Sequence, residues 1–177
     1  MKKSSDFLGK AILLSLILIV VDLIGGFAHL RFENWFKWIG TIIMIVAIIV
    51  FCIQFAKQQT DGVTFGKVFG YGFKIALIVS LIVVVYSLLS INLIFPEYIN
   101  EVLVKTRTDL QAKGGMSDEQ IDQAVAMTKK FMTPVPMSIF VFIATLFFGT
   151  ISALLGAAFA KKSDPDLKSA INNLENP

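Results

Sequence analysis

At 177 residues, 55% of them hydrophobic and only 16% charged, the chain is far more apolar than a soluble globular domain. Its formal net charge of +3 is carried by lysines that sit beside apolar blocks, which points away from nucleic acid and towards anionic lipid head groups. One cysteine, Cys52, and one histidine, His29, leave no internal disulfide and no His/Cys metal cluster, so neither a metal nor a cofactor is expected.

The apolar residues fall into four blocks of helix-spanning length rather than short amphipathic stripes. This pattern predicts one all-α domain over residues 1–177, a polytopic membrane protein with four transmembrane helices. The spans are placed at about 11–30, 38–56, 67–95 and 138–160, with a polar tail at 161–177. An extracytoplasmic amphipathic helical hairpin at 96–137 is expected between the third and fourth spans.

The first block follows Lys2, Lys3 and Lys10 and is interrupted by Asp22. Basic residues before an apolar run also open a secretory signal peptide, and Gly26 and Ala28 would suit a cleavage site. Asp22 is out of place in a signal sequence, and retaining the segment gives an even number of spans, so it is taken as a retained transmembrane helix. A carboxylate at membrane depth costs about 2.5–3.5 kcal/mol on insertion scales, so it tends to face a partner, a cavity or a proton path. His29 lies seven residues beyond Asp22, near the same helical face, which makes Asp22 and His29 the candidate intramembrane polar site. The alternative is hydration of both at the membrane interface.

Trp35 and Trp38 mark an interfacial belt before the second span. That span is rich in β-branched residues, which are helical in a bilayer because backbone groups must bond internally there. The third span is entered through the stretch TFGKVFGYGF at Thr64–Phe73. At helical spacing this stretch separates into an aromatic ridge of Phe65, Phe69 and Phe73, a groove of Gly66 and Gly70, and a face of Lys67, Tyr71 and Lys74. The last three are candidate lipid head-group contacts; the alternative is a snorkelling, aromatic-anchored helix start. In the fourth span Gly149, Ala153 and Ala157, and Ser152, Gly156 and Ala160, form ladders of small residues four apart. Gly66, Gly70, Gly149, Ala153, Gly156 and Ala157 are therefore the candidate helix-packing positions.

In the polar region, Ile99, Val102, Leu103, Thr106 and Leu110 have helical spacing and Gly114–Gly115 stop the helix. Ser117-Asp118-Glu119-Gln120 reads as a capping box opening a second helix, with Ile121, Ala124, Val125, Thr128, Phe131 and Met132 on one face and Pro134 and Pro136 ending it. Its carboxylates have the pattern of a solvated face, and no Walker loop, dinucleotide fingerprint, zinc-protease motif or nucleophile elbow is present, so no catalytic residue is assigned. Nine basic residues lie on the side of the chain ends and seven on the other, the seven balanced by as many acids. The expected arrangement has both termini cytoplasmic and the helical hairpin on the other side.

One ordered set of residues resembles a known family. It comprises Gly62-Val63-Thr64-Phe65-Gly66, Phe69, Gly72-Phe73, Pro96-Glu97, then Gly115-Met116-Ser117-Asp118-Glu119-Gln120-Ile121, Phe131, Pro134, Gly149 and Lys161-Lys162. Their order and spacing resemble the bacterial domain-of-unknown-function family 4199, small four-span membrane proteins. The resemblance covers nearly the whole chain and brings no activity and no catalytic residues with it. The role expected from the residues is non-enzymatic: a scaffold or accessory subunit whose partners are the lipid bilayer and a membrane protein or a second copy of the chain, with no nucleic acid. The alternatives are a small transporter or proton-coupled carrier using Asp22, with Asn92 or Gln54 as its second polar group, and an accessory role in lipid-linked glycan or envelope synthesis.

Overall fold

The computed structural model describes residues 6–59 and 63–160. Lys2, Lys3, Gly62 and the 161–177 tail, with Lys161, Lys162 and Lys168, lie outside the described residues. Every regular element among the described residues is helical: α1 (Phe7–Phe27), α2 (Phe36–Lys57), α3 (Phe65–Leu89), a π-helical turn (Ser90–Ile94), α4 (Tyr98–Lys113), α5 (Asp118–Phe131) and α6 (Pro134–Phe159). Four helical stretches are long and apolar enough to cross a membrane: α1, α2, α3 continued to Ile94, and α6. The chain is a multi-pass membrane protein.

The chain divides into two compact units, the boundary falling within α3 and α6. The first holds the described residues up to Ile82 and those from Ala144; the second is Val83–Ile143.

In the first unit, α1 and α2 run antiparallel, with Gly25 receiving the Phe36 ring and Gly40 lying beside Leu18. α2, α3 and α6 meet along a seam of small residues. A Cβ added at Gly72 would lie 2.5 Å from Cys52 Sγ and 2.9 Å from Ala153 Cβ, one at Gly149 2.6 Å from Ala76 Cβ, and one at Gly156 2.7 Å from Cys52 Cβ. Cys52, Ala76, Ala153 and Ala157 are fully buried there. Lipid tails are as apolar as leucine, so close backbone approach and dispersion, rather than expulsion of water, hold such a seam together. The buried serine hydroxyls described in this unit are satisfied inside their own helices: Ser15 donates to Ala11 O at 2.8 Å, Ser80 to Leu77 O at 2.8 Å and Ser152 to Phe148 O at 2.6 Å.

The second unit contains the helical hairpin. Gly114 and Gly115 both have positive φ, 66° and 83°, which is why glycine stands at the turn. Ser117 Oγ accepts from the Gln120 amide at 3.4 Å and the Gln120 side chain accepts from the Ser117 amide at 3.0 Å, so the expected capping box is formed. Ile121 is the buried anchor of α5, and Arg107 of α4 pairs with Asp122 of α5 across the hairpin. The end of α3 loosens into a π turn in which the Phe95 amide donates to Ser90 O at 2.7 Å, immediately before Pro96. A proline ring crowds the carbonyl four residues back and supplies no N–H, so regular winding stops there.

Helix boundaries shift by one to four residues from the sequence expectation, α1 already beginning at Phe7, and two of the shifts have a clear local cause. The first helix ends at Phe27 rather than Leu30, because Ala28–Leu30 form a capping turn. The last begins at Pro134 rather than Ser138: Pro134 and Pro136 occupy the first turn of α6, where backbone N–H groups lack intrahelical partners and proline is tolerated.

Candidate functional site

Two polar clusters lie in the first unit, centred on Lys10 and Asp22. Twelve residues of α1 separate them, about 18 Å along the helix.

The Asp22 cluster is built by the turn that ends α1. Three backbone bonds close it: Ala28 N to Ile24 O at 2.9 Å, His29 N to Gly26 O at 3.2 Å, and Leu30 N to Gly25 O at 2.9 Å. The last two are the paired bonds of a Schellman motif, with His29 in the left-handed position at φ 55°. Glycine is the usual residue there, and histidine is one of the few others that adopt the conformation with any frequency. The turn reverses the chain so that Arg31 comes back to α1. Arg31 Nη2 lies 2.5 Å from Asp22 Oδ2, with the arginine side chain 14% exposed and the carboxylate 42% exposed. Asp22 and His29 are not brought together: Asp22 meets Arg31, while His29 is exposed and shapes the turn through its backbone. A guanidinium beside the carboxylate compensates its charge near the helix end. Sequence reasoning missed Arg31 because the pairing depends on the hand of the turn, which helical spacing does not encode.

The other polar groups proposed as companions to Asp22 are committed elsewhere. Gln54 Oε1 accepts from Lys10 Nζ at 3.2 Å, and Asn92 Nδ2 donates to Leu88 O of its own helix at 2.7 Å.

The second cluster joins the start of α1, the end of α2 and the start of α3. Asp6 caps α1 by accepting from the Gly9 amide at 3.2 Å. Lys10 Nζ lies 5.1 Å from the centroid of the Phe51 ring and 5.7 Å from that of Tyr71, within cation–π range of both. Tyr71 is buried and stacked on Phe55, ring centroids 4.2 Å apart and planes 7° from parallel. Lys74 reaches over the Phe7 ring at 5.9 Å. The three expected head-group contacts are thus divided. Lys67 and Lys74 are exposed, Tyr71 is packed inside the α2–α3 contact, and the cation over its ring is Lys10, which sequence spacing alone did not select.

The expected packing positions also separate. Gly149, Ala153, Gly156 and Ala157 are buried on α6, and Gly72 joins them from α3. Gly66 and Gly70 do not join this seam: among the described residues, a Cβ at either meets no atom within 4 Å. Position decides this, because Val68, Tyr71, Gly72 and Ile75 form the buried side of α3 and Gly66 and Gly70 lie off it. The phenylalanine ridge beside them is real, with Phe65 and Phe69 centroids 6.3 Å apart and Phe69 and Phe73 5.8 Å apart.

Among the described residues no group of three or more His, Cys, Asp or Glu side chains is placed to hold a metal ion. No curated protein and no solved structure matches the chain. Residues 8–162 match the family model described as "Protein of unknown function (DUF4199)", and with that span covering most of its length, this four-span chain belongs to that family.

Proposed function

We propose that the protein is a non-enzymatic membrane scaffold or accessory subunit that associates through its transmembrane helices with a membrane protein or a second copy of itself. The observation that carries this is the contrast between its two sets of small residues. The ladder on α6 is filled from within by Cys52, Ala76 and Gly72, whereas Gly66 and Gly70 of α3, beside the Phe65–Phe69–Phe73 ridge, have no described atom within 4 Å of an added Cβ. Such a small-residue pair lets a second helix approach closely, and the ridge supplies dispersion contacts along its flank. The commitment of Asp22 to Arg31 and of Gln54 to Lys10 supports this role over proton-coupled transport. The exposure of Lys67 and Lys74 gives little support to a convergent phosphate pocket for envelope chemistry. The resemblance to a bacterial family supports a bacterial inner membrane as its location, and the distribution of basic residues supports cytoplasmic chain ends.

The test uses full-length protein at decreasing protein-to-lipid ratio in vesicles, with energy transfer between labelled copies as the readout. Wild-type copies are expected to associate, and the Gly66→Leu/Gly70→Leu double variant to remain folded but lose association. Equal transfer in both, or proton flux that disappears in Asp22→Asn, overturns the proposal.

A further inference from the structure

The α5 helix presents two apolar surfaces, and the hairpin uses only one. Ile121 is buried against the hairpin, with Ala124, Val125 and Thr128 partly covered beside it. Met127 and Phe131, four residues apart on a neighbouring stripe, are 60% and 68% exposed. Phe131 therefore departs from the packed face on which its spacing had placed it. At about 100° per residue, Met127 and Phe131 lie some 40° apart around the helix, while Asp118, Glu119 and Asp122 stand about 100° or more from the centre of the stripe. Lys130 flanks it instead.

The position of this stripe in the chain names its occupant. α5 ends at Phe131 and α6 begins at Pro134. Three residues cover at most about 11 Å between Cα atoms. The 26 residues of α6 extend to roughly 39 Å, longer than the hydrocarbon core and close to the thickness that includes the head groups. The first turn of α6 therefore reaches head-group level, and Val135 within it is 69% exposed. Phe131 is tethered directly to that level.

We infer that α5 lies on the membrane surface, with the Met127–Phe131 stripe in the acyl boundary and Lys130 reaching the lipid phosphates. An exposed apolar stripe, acids confined to the far side, and a flanking lysine with an apolar stem are the features of an interfacial helix. The hairpin is then a bilayer-anchored element whose outward side carries Asp118, Asp122 and Lys129. This placement is independent of the α3 groove.

The experiment uses the full chain in nanodiscs of phosphatidylcholine and phosphatidylglycerol, with Cys52→Ala as background and a nitroxide attached at Met127→Cys or Ala126→Cys. Both positions are exposed, so neither substitution touches the core; matching helicity of the two proteins confirms the fold. The label at 127 is expected to collide with oxygen several-fold more than with a soluble nickel chelate, and the label at 126 to show the reverse. Chelate access at 127 as high as at 126 would mean a solvated face. Shielding at 127 from both relaxants would mean a protein occupant, a second copy or another subunit. Either result overturns the assignment to lipid.

Discussion

At the scale of single residues, Asp22 changes meaning once its neighbour is known. A carboxylate in an apolar run suggests a proton path, yet here it is the helix half of an ion pair whose other half sits in the following turn. Because Asp22 is partly exposed, solvent screens the pair, and its net contribution is on the order of 1 kcal/mol. Removing one partner leaves an uncompensated charge near the membrane, which costs more than removing both. Arg31→Gln and Asp22→Asn are each expected to lower the detergent melting temperature, and the double variant to lose less than the two combined. Strict additivity in that cycle would show that the two side chains act independently.

The helices pack by backbone approach, so the consequences of substitution differ sharply between glycines of similar sequence context. At Gly156 a Cβ falls 2.7 Å from Cys52 Cβ and 3.2 Å from the Ile49 Cα, where backbone cannot easily yield. Gly156→Leu is expected to destabilise the protein by about 1–3 kcal/mol or more, the range for overpacking a filled core. Gly66→Leu, which meets no described atom, is expected to stay within about 0.5 kcal/mol of wild type. Unfolding by a denaturing detergent, followed by circular dichroism, measures both. The sequence pattern could not separate them: both glycines sit in four-residue repeats within apolar segments, and only the rotation of α3 that buries Val68, Tyr71 and Gly72 turns Gly66 and Gly70 away.

For the whole molecule, each spanning helix buries only 17–22% of its apolar window within the chain, so most of the span surface remains available for lipid or other helices. Sidedness is a separate matter and rests on the basic residues. In the Cys52→Ala background, Met116→Cys at the exposed hairpin turn is expected to react with an impermeant maleimide added outside cells whose outer barrier is opened and inner membrane intact. Reaction only after the inner membrane is permeabilised would reverse the orientation.

The four spans, the glycine turn and the capping box were legible in the sequence because each rests on local rules. A run of about 20 apolar residues must be helical where no water can satisfy the backbone, and Ser117 and Gln120 cap each other over three residues without help from the rest of the fold. Partner choice was not legible. Arg31 reaches Asp22 through a turn whose pivot, His29, adopts a conformation more often given to glycine, and Lys10 meets Gln54 and Tyr71 from helices far apart in the chain. Phe131 has the right spacing for the hairpin core and lies outside it. Periodicity specifies a helix and its apolar side, but the rotation of one helix against another depends on side chains from both. The sequence by itself determined a membrane-spanning, all-helical chain; tertiary structure alone decided which glycines are filled, which charges are paired and which apolar faces remain uncovered.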